Sequence, residues 1–249
     1  MKKWYALFTM LAFPYFLGAL ENSMLNLTLP SGLETKQAQF FLDHRFLGKA
    51  LKEKPFDNFF GVDNSAFVRF GFRVPIWKTF ELMVSRTNNQ KEYILGAGYT
   101  AVFPGSRFKT KLDVQYFTYR YFNFDVLNDQ REKAFFGQLA MEYAIFSERC
   151  IPVLNIGYDG STEKTGLGMG IQMVVSKTVG LIAEYYPKLK KDPEIPQNSF
   201  TIGMKIQTYG HHFLFMLGNS HEIGTRRMMV GAYSKDLYLG ITIKRLLEF

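Results

Sequence analysis

The side chains able to do chemistry in this sequence fall into a few groups, and each works only in a particular local geometry. One is His211-His212, in the stretch TYGHHFLFMLGNS at 208–220. A metal site needs convergent His or Cys ligands at typical spacings. Neighbouring residues of a strand point to opposite faces, and no Cys or His partner stands at helical spacing. No metal and no cofactor is therefore expected. The pair reads as hydrogen-bonding side chains near a rim, His211 outward with Phe213 and Phe215, His212 inward with Leu214 and Met216.

Ser220 and His221 raise the possibility of a rim-located lipid hydrolase. They are consecutive in a predicted loop, and no Gly-x-Ser-x-Gly frame surrounds the serine. A polar loop opening on Gly218-Asn219-Ser220 is the simpler reading, so no catalytic residue is assigned and the chain is not expected to be an enzyme. GLGMG at 166–170 precedes no helix, which argues against phosphate cradling. Alternation puts Gly166, Gly168 and Gly170 on one inner face, where small residues make room. Lys188-Leu189-Lys190-Lys191 is a solvated loop that could touch lipopolysaccharide phosphates.

The largest group is a set of charges. Arg69, Arg73, Lys109, Lys111 and Lys205 stand against Glu81, Glu92, Asp113, Glu142 and Glu184, with glutamines 37, 39, 115, 138, 172 and 207 and His212 among them. Rings of charge tune pore selectivity, provided one fold turns all of them inward.

The period of the chain supplies such a fold. From Thr35 onward, apolar residues recur at every second position, the pattern of strands. Ala66, Val68, Phe70, Phe72 and Val74 alternate with Arg69, Gly71 and Arg73; Phe135, Leu139, Met141 and Tyr143 alternate with Gln138, Ala140 and Glu142. Continued to Leu237–Lys244, this gives about twelve strands. Tight links near Pro75, Pro104, Ser147, Ser176 and Tyr209 alternate with polar connections at 47–62, 88–91, 118–132, 159–164, 187–197 and 219–235. Short turns on one rim and longer loops on the other fit an all-β, up-and-down antiparallel transmembrane β-barrel. A soluble sheet would not carry so many large aromatics into water, whereas a lipid-facing sheet must close on itself.

Composition agrees. Mean hydropathy is −0.08 with 47% hydrophobic residues, which excludes a bundle of membrane helices. Lys2-Lys3, an apolar run to Leu20 and small Gly18-Ala19 predict a signal peptide over 1–19, then a short N-terminal periplasmic segment at 20–34 and the barrel at 35–249. The formal charge of +8 would fall to about +6 (8 minus 2) once the signal lysines leave, which favours anionic neighbours. Nucleic acid is not an expected partner of an exported chain. The single cysteine, Cys150, forms no disulfide framework. The terminal Phe249 after an alternating strand suits reading by the barrel-assembly machinery during insertion.

The stretches His44-Arg45-Phe46, FFGVDNSAFVRFGFRVPI at 59–76, Ser85-Arg86-Thr87, SFTIGMKIQTYGHHFLFMLGNS at 199–220 and the final GITIKRLLEF resemble the bacterial family described as a membrane-bound β-barrel domain of unknown function. Gly210-His211 and Asn219-Ser220 match the opening and close of its penultimate strand; His212 and the tail after Arg245 depart from it. The resemblance implies a barrel in the outer membrane of a Gram-negative bacterium, among its lipid and lipopolysaccharide, and supplies no activity.

Two functions follow from this reading. One is a narrow channel or binding barrel for a small polar or anionic solute, with Arg69, Arg73, Lys109 and Lys111 setting selectivity. The other is a closed structural or interaction barrel that binds a partner through its outer loops.

Overall fold

The computed structural model describes residues 24–30, 33–51, 55–123, 128–146, 149–190 and 193–249; the expected signal peptide at 1–19 lies outside them. Twelve strands form one closed antiparallel barrel. In chain order they are β1 Gln37–Lys49, β2 Ala66–Trp77, β3 Phe80–Thr87, β4 Tyr93–Val102, β5 Phe108–Asn123 and β6 Asn128–Tyr143, followed by β7 Cys150–Asp159, β8 Lys164–Val174, β9 Val179–Tyr186, β10 Ser199–Thr208, β11 His211–Gly218 and β12 Tyr238–Glu248. Each pairs with the next. β12 closes on β1 from Gln37↔Glu248 to Lys49↔Tyr238, with a bulge between Arg45 and Lys49.

Closure follows from the solvent each face meets. An unpaired backbone group in hydrocarbon costs several kcal/mol, so a lipid-facing sheet cannot keep an edge. The outer face carries exposed Leu82, Val84, Leu95, Leu112, Val114, Leu139, Ile156, Met169, Leu181 and Ile202. Aromatics flank this aliphatic band. Trp77, Tyr99, Phe103, Tyr143 and Tyr209 lie toward the short turns, and Tyr93, Phe135, Tyr158 and Tyr185 toward the longer loops. Two such girdles around an apolar band are the outer surface of a membrane barrel.

The twelve strands match the sequence pattern, and the long connections β1–β2, β9–β10 and β11–β12 all lie on one rim; β3–β4, β5–β6 and β7–β8 on that rim are as short as the turns opposite, so the expected alternation of lengths holds only in part. The expected loop at 118–132 also differs: its residues 118–123 and 128–132 extend β5 and β6, with Tyr119↔Glu132 and Tyr121↔Gln130 in register. Its run of Tyr and Phe favours strand, so pairing continues beyond the neighbouring β4 and β7, which have ten residues each against sixteen.

A second difference concerns the expected periplasmic segment at 20–34. Residues 24–30 of that segment sit inside the barrel, where Met24, Leu25 and Leu27 are at most 5% exposed. From the opposite rim, the β11–β12 connection also turns inward through a short helix, α1 Thr225–Met228, of which Thr225, Arg226 and Met228 are buried. The interior core is built jointly from Met24, Leu25, Leu27, Met228 and Met229 with strand residues Ile94, Phe117, Phe136, Ile151, Val153, Ile182, Tyr186, Leu214 and Met216.

Candidate functional site: the barrel interior

With alternate residues turned inward, the interior has two unlike walls. Along β1–β5 it is charged. On neighbouring β1 and β2, Arg69 Nε donates to Asp43 Oδ2 at 2.8 Å, and Asp43 also accepts the Thr242 hydroxyl at 2.6 Å. Four residues further along β2, Arg73 forks onto both Glu81 oxygens at 2.7 and 2.8 Å. Such a bidentate pair fixes direction as well as charge. Lys111 reaches the same carboxylate from β5 and is 1% exposed. Gly98 on β4 makes this possible, because a Cβ there would lie 2.4 Å from Lys111 Cε. Asp113 accepts amide hydrogens from Gln115 at 2.7 Å and Gln138 at 2.9 Å. Lys109 pairs with Glu142 at 3.4 Å.

Glu92, just before β4, is 2% exposed and receives both arginines of α1. Arg226 pairs with Glu92 and, at 3.2 Å, with Asp159, while its guanidinium lies 3.8 Å from the Phe117 ring centroid. Arg227 meets Glu92 and Glu222, each at 3.3 Å. These contacts hold the inward loop against the charged wall.

The β7–β10 wall mixes glycines and apolar side chains with buried Asn155, Gln172, Glu184 and Lys205, and it carries the N-terminal segment. Glu184 Oε1 accepts three consecutive backbone N–H groups, from Leu25 at 2.8 Å, Asn26 at 2.9 Å and Leu27 at 3.1 Å. Asn155 accepts the Thr28 N–H at 2.8 Å and donates to its carbonyl at 3.0 Å. Thr28 Oγ1 accepts from Gln138 at 2.7 Å. Lys244 Nζ donates to the Met24 carbonyl at 3.2 Å, and Thr100 Oγ1 to that of Pro30 at 3.1 Å.

Between the charged wall and the segment lies a cavity of about 280 Å³. It reaches from Gln37 and Leu246 near the short-turn rim to Glu92 and Arg227 near the loop rim, and Arg69, Arg73, Glu81, Lys111 and Asp113 line it. Of the sequence candidates, these five and Glu92 come together on one cavity. Glu142, Glu184, Lys205 and His212 also lie on the inner face, all buried, while Lys109 is the most exposed member, at 35%. His212 is 4% exposed, held in register between Gln207 and Lys244. His211 faces outward, stacked with Phe213 at 6.0 Å and 3.0 Å from Arg245.

Residue parity also implicates Asp43, Arg45, Asn155, Asp159 and Lys244, which share the inner face. Arg226 and Arg227 carry no strand signal, and only the structure reveals them; Asn26 falls in a short alternating run, Leu25 to Leu29, ahead of the first strand. Ser220 and His221 are engaged locally. Ser220 Oγ accepts the Glu222 N–H at 3.2 Å, and the His221 ring packs between Phe67 at 5.3 Å and Tyr238 at 5.2 Å. Among the described residues, no group of three His, Cys, Asp or Glu side chains is placed to hold a metal ion.

The fold is that of known outer-membrane barrels. The KdgM porin, in a structure of its complex with disordered oligogalacturonate, is similar at a TM-score of 0.56 and 9% identity, over 83% of this chain and 98% of that one. A second KdgM porin structure gives 0.55 and 8%, over 84% and 98%. Omp33 of Acinetobacter baumannii gives 0.48 and 7%, over 86% and 98%. No curated protein matches the chain. A closed twelve-stranded sheet with a lipid-facing band and a porin-like fold is thus joined by a family match: residues 153–247 match the model described as a membrane bound beta barrel domain.

Proposed function

We propose that the chain is a narrow channel in the outer membrane of a Gram-negative bacterium, passing small polar solutes that carry acidic groups. The cavity along β1–β5 carries this reading. It leaves a polar path of about 280 Å³ beside the packed half of the interior. Along that path the carboxylates are shared: Glu81 serves Arg73 and Lys111, and Glu92 serves Arg226 and Arg227. Sharing leaves the wall richer in N–H donors than in acceptors, and an acidic or hydroxyl-rich solute can exploit that excess. The KdgM porin has been seen in complex with oligogalacturonate, a precedent for a carboxylate-bearing sugar in a barrel of this fold. At 9% identity the likeness lends this chain no solute.

In this reading Arg69, Arg73, Lys109 and Lys111 set ion preference, each acting from within an ion pair. Outer-leaflet lipopolysaccharide surrounds the loop rim, where Lys188 and Lys190 stand near its phosphates.

The test is single-channel recording on purified full-length protein in planar bilayers under a KCl gradient. Arg69, Arg73, Lys109 and Lys111 are replaced by Gln singly and then together. Heat-modifiable migration in detergent gels checks that each variant is folded. The expected result is a loss of anion preference with the barrel intact; an unchanged reversal potential in the quadruple variant overturns the assignment. A second reading, a closed interaction barrel, is favoured by the segment and α1 loop that fill the rest of the interior. It predicts no current in any variant.

A further inference from the structure

We infer that residues 24–30 form a removable plug, seated in a cleft of the β7–β10 wall that is shaped to bind it. This deepens the channel reading above and rests on it. The cleft has the parts of a peptide-binding site. Backbone clamps come first: Glu184 gathers the N–H groups of Leu25, Asn26 and Leu27, and Asn155 grips both the N–H and the carbonyl of Thr28. These contacts read main chain and position the strap.

Side-chain pockets come second, and they are made by glycine. A Cβ on Gly170 would lie 2.3 Å from Met24 Cε and one on Gly168 2.6 Å from Leu27 Cδ2, while one on Gly203 would meet the Phe215 carbonyl at 2.4 Å and the Leu25 methyls at 3.0 Å. Gly168 and Gly170 are alternate residues of β8, and Gly203 lies on β10, so three missing side chains open three seats on one wall. Small residues chosen only for curvature would have no reason to coincide with successive apolar residues of one segment. The coincidence, together with the clamps, indicates a cleft fitted to this strap.

The strap is also latched to the loop from the opposite rim. Asn26 Oδ1 accepts from Arg45 at 3.1 Å and from the Gly224 N–H at 3.3 Å, and the Asn26 carbonyl accepts the Thr225 hydroxyl at 2.7 Å. Plug and inward loop therefore meet at Asn26, and again where the Thr28 and Thr225 hydroxyls approach to 3.4 Å. Every hold on the strap is non-covalent, and on the side away from the cleft it faces the cavity. Withdrawal of the strap joins its volume to that cavity and widens the path.

The test compares one polypeptide in two states. Leu27→Cys and Gly168→Cys are combined with Cys150→Ser, so that oxidation ties the strap to its seat and reduction frees it without any change of sequence. Heat-modifiable migration verifies folding in both states. In planar bilayers the oxidised form is expected to show only the small conductance of the cavity, and the reduced form to visit a wider state. Glu184→Gln and Asn155→Ala provide an independent arm without new cysteines. Each removes at least one hydrogen bond from the clamps and is expected to raise the fraction of time in the wide state about tenfold or more. Current that is the same in oxidised, reduced and loosened forms overturns the plug while leaving the channel standing. No current in any form overturns the channel reading and the plug with it.

Discussion

The two walls of the barrel interior solve the same problem by opposite means. Along β1–β5, cross-strand neighbours bury charge against charge: Asp43 with Arg69, and Glu81 with Arg73 and Lys111. Along β7–β10, the strands present glycines and a few clamps and import their packing partner from another part of the chain. The first wall pairs its charges within the sheet except at Glu92, which takes Arg226 and Arg227 from the inward loop, and it leaves a cavity beside it. The second is complete only with residues 24–30 in place. A barrel of this size is wider than its own inward side chains can fill, and the asymmetry decides where the remaining space lies.

The sharpest break of this contrast is Glu81→Ala. It strips a common partner from Arg73 and from Lys111, which is 1% exposed. Removing one member of a buried ion pair costs about 3–5 kcal/mol, because the survivor is left charged and desolvated. Urea unfolding in detergent micelles should show a loss of that order. Replacing Glu81 and Lys111 together by Met should recover much of it; no recovery would mean that the charges do more than balance one another.

On the opposite wall, Gly168→Ala should act by overpacking. Its Cβ would stand 2.6 Å from Leu27 and 2.8 Å from the Tyr186 ring, and such insertions cost about 1–3 kcal/mol. Leu27→Ala in the same chain should relieve most of the penalty, since the two changes share one space. Gly137→Ala is the control: nothing lies within 4 Å of a Cβ there, and its effect should stay within about 0.5 kcal/mol. Equal losses at Gly168 and Gly137 would remove the reason to call the glycine wall a seat.

The same contrast explains what could be read from the sequence. Strand number, closure and facing come from a period of two that repeats along the chain, so Arg69, Arg73, Glu81 and Lys111 could be turned inward from local pattern alone. Pairing of those charges was not legible, because it depends on register between strands. The plug was still further from view. Asn26 and Glu184 are 158 residues apart, and no local rule connects them. Two signals were nevertheless present: the alternating Leu25-Asn26-Leu27-Thr28-Leu29 ahead of the first strand, and three glycines in a row on one inner face of β8. The first had no sheet assigned to it, and the second had no occupant. Arg226 and Arg227 gave less warning, since two arginines in a loop ordinarily point to water. At 118–123 and 128–132, charged and polar residues suggest a loop, while Tyr119 and Tyr121 continue the strand alternation that the structure follows.

Outside both walls an ion pair should matter far less. Lys49 and Asp236 meet at 2.7 Å with side chains 41% and 26% exposed. Water and salt screen such a pair, so Lys49→Ala is expected to cost about 0–1 kcal/mol. A loss as large as that of Glu81→Ala would show that geometry and not burial sets the strength of the charged wall.

The smallest effect expected is one of pH, and it concerns the loop that joins the walls. His221 packs between Phe67 and Tyr238. Burial holds its pKa below the usual 6.5, with nearby Glu222 pulling the other way. The undocked loop therefore takes up a proton at a higher pH than the docked one. The contribution to docking is fully present above about 6.5 and is lost as pH falls from there toward the lower pKa of the docked ring. Amide exchange over residues 219–230 should accelerate on moving from neutral to mildly acidic buffer, after correction for intrinsic rates, while exchange in β2 and β3 stays unchanged. In a His221→Phe variant, which keeps the ring packing and cannot titrate, the acceleration should vanish. If it persists, acid releases the loop elsewhere, and the Glu92 contacts to Arg226 and Arg227 become the junction to test between plug, loop and charged wall.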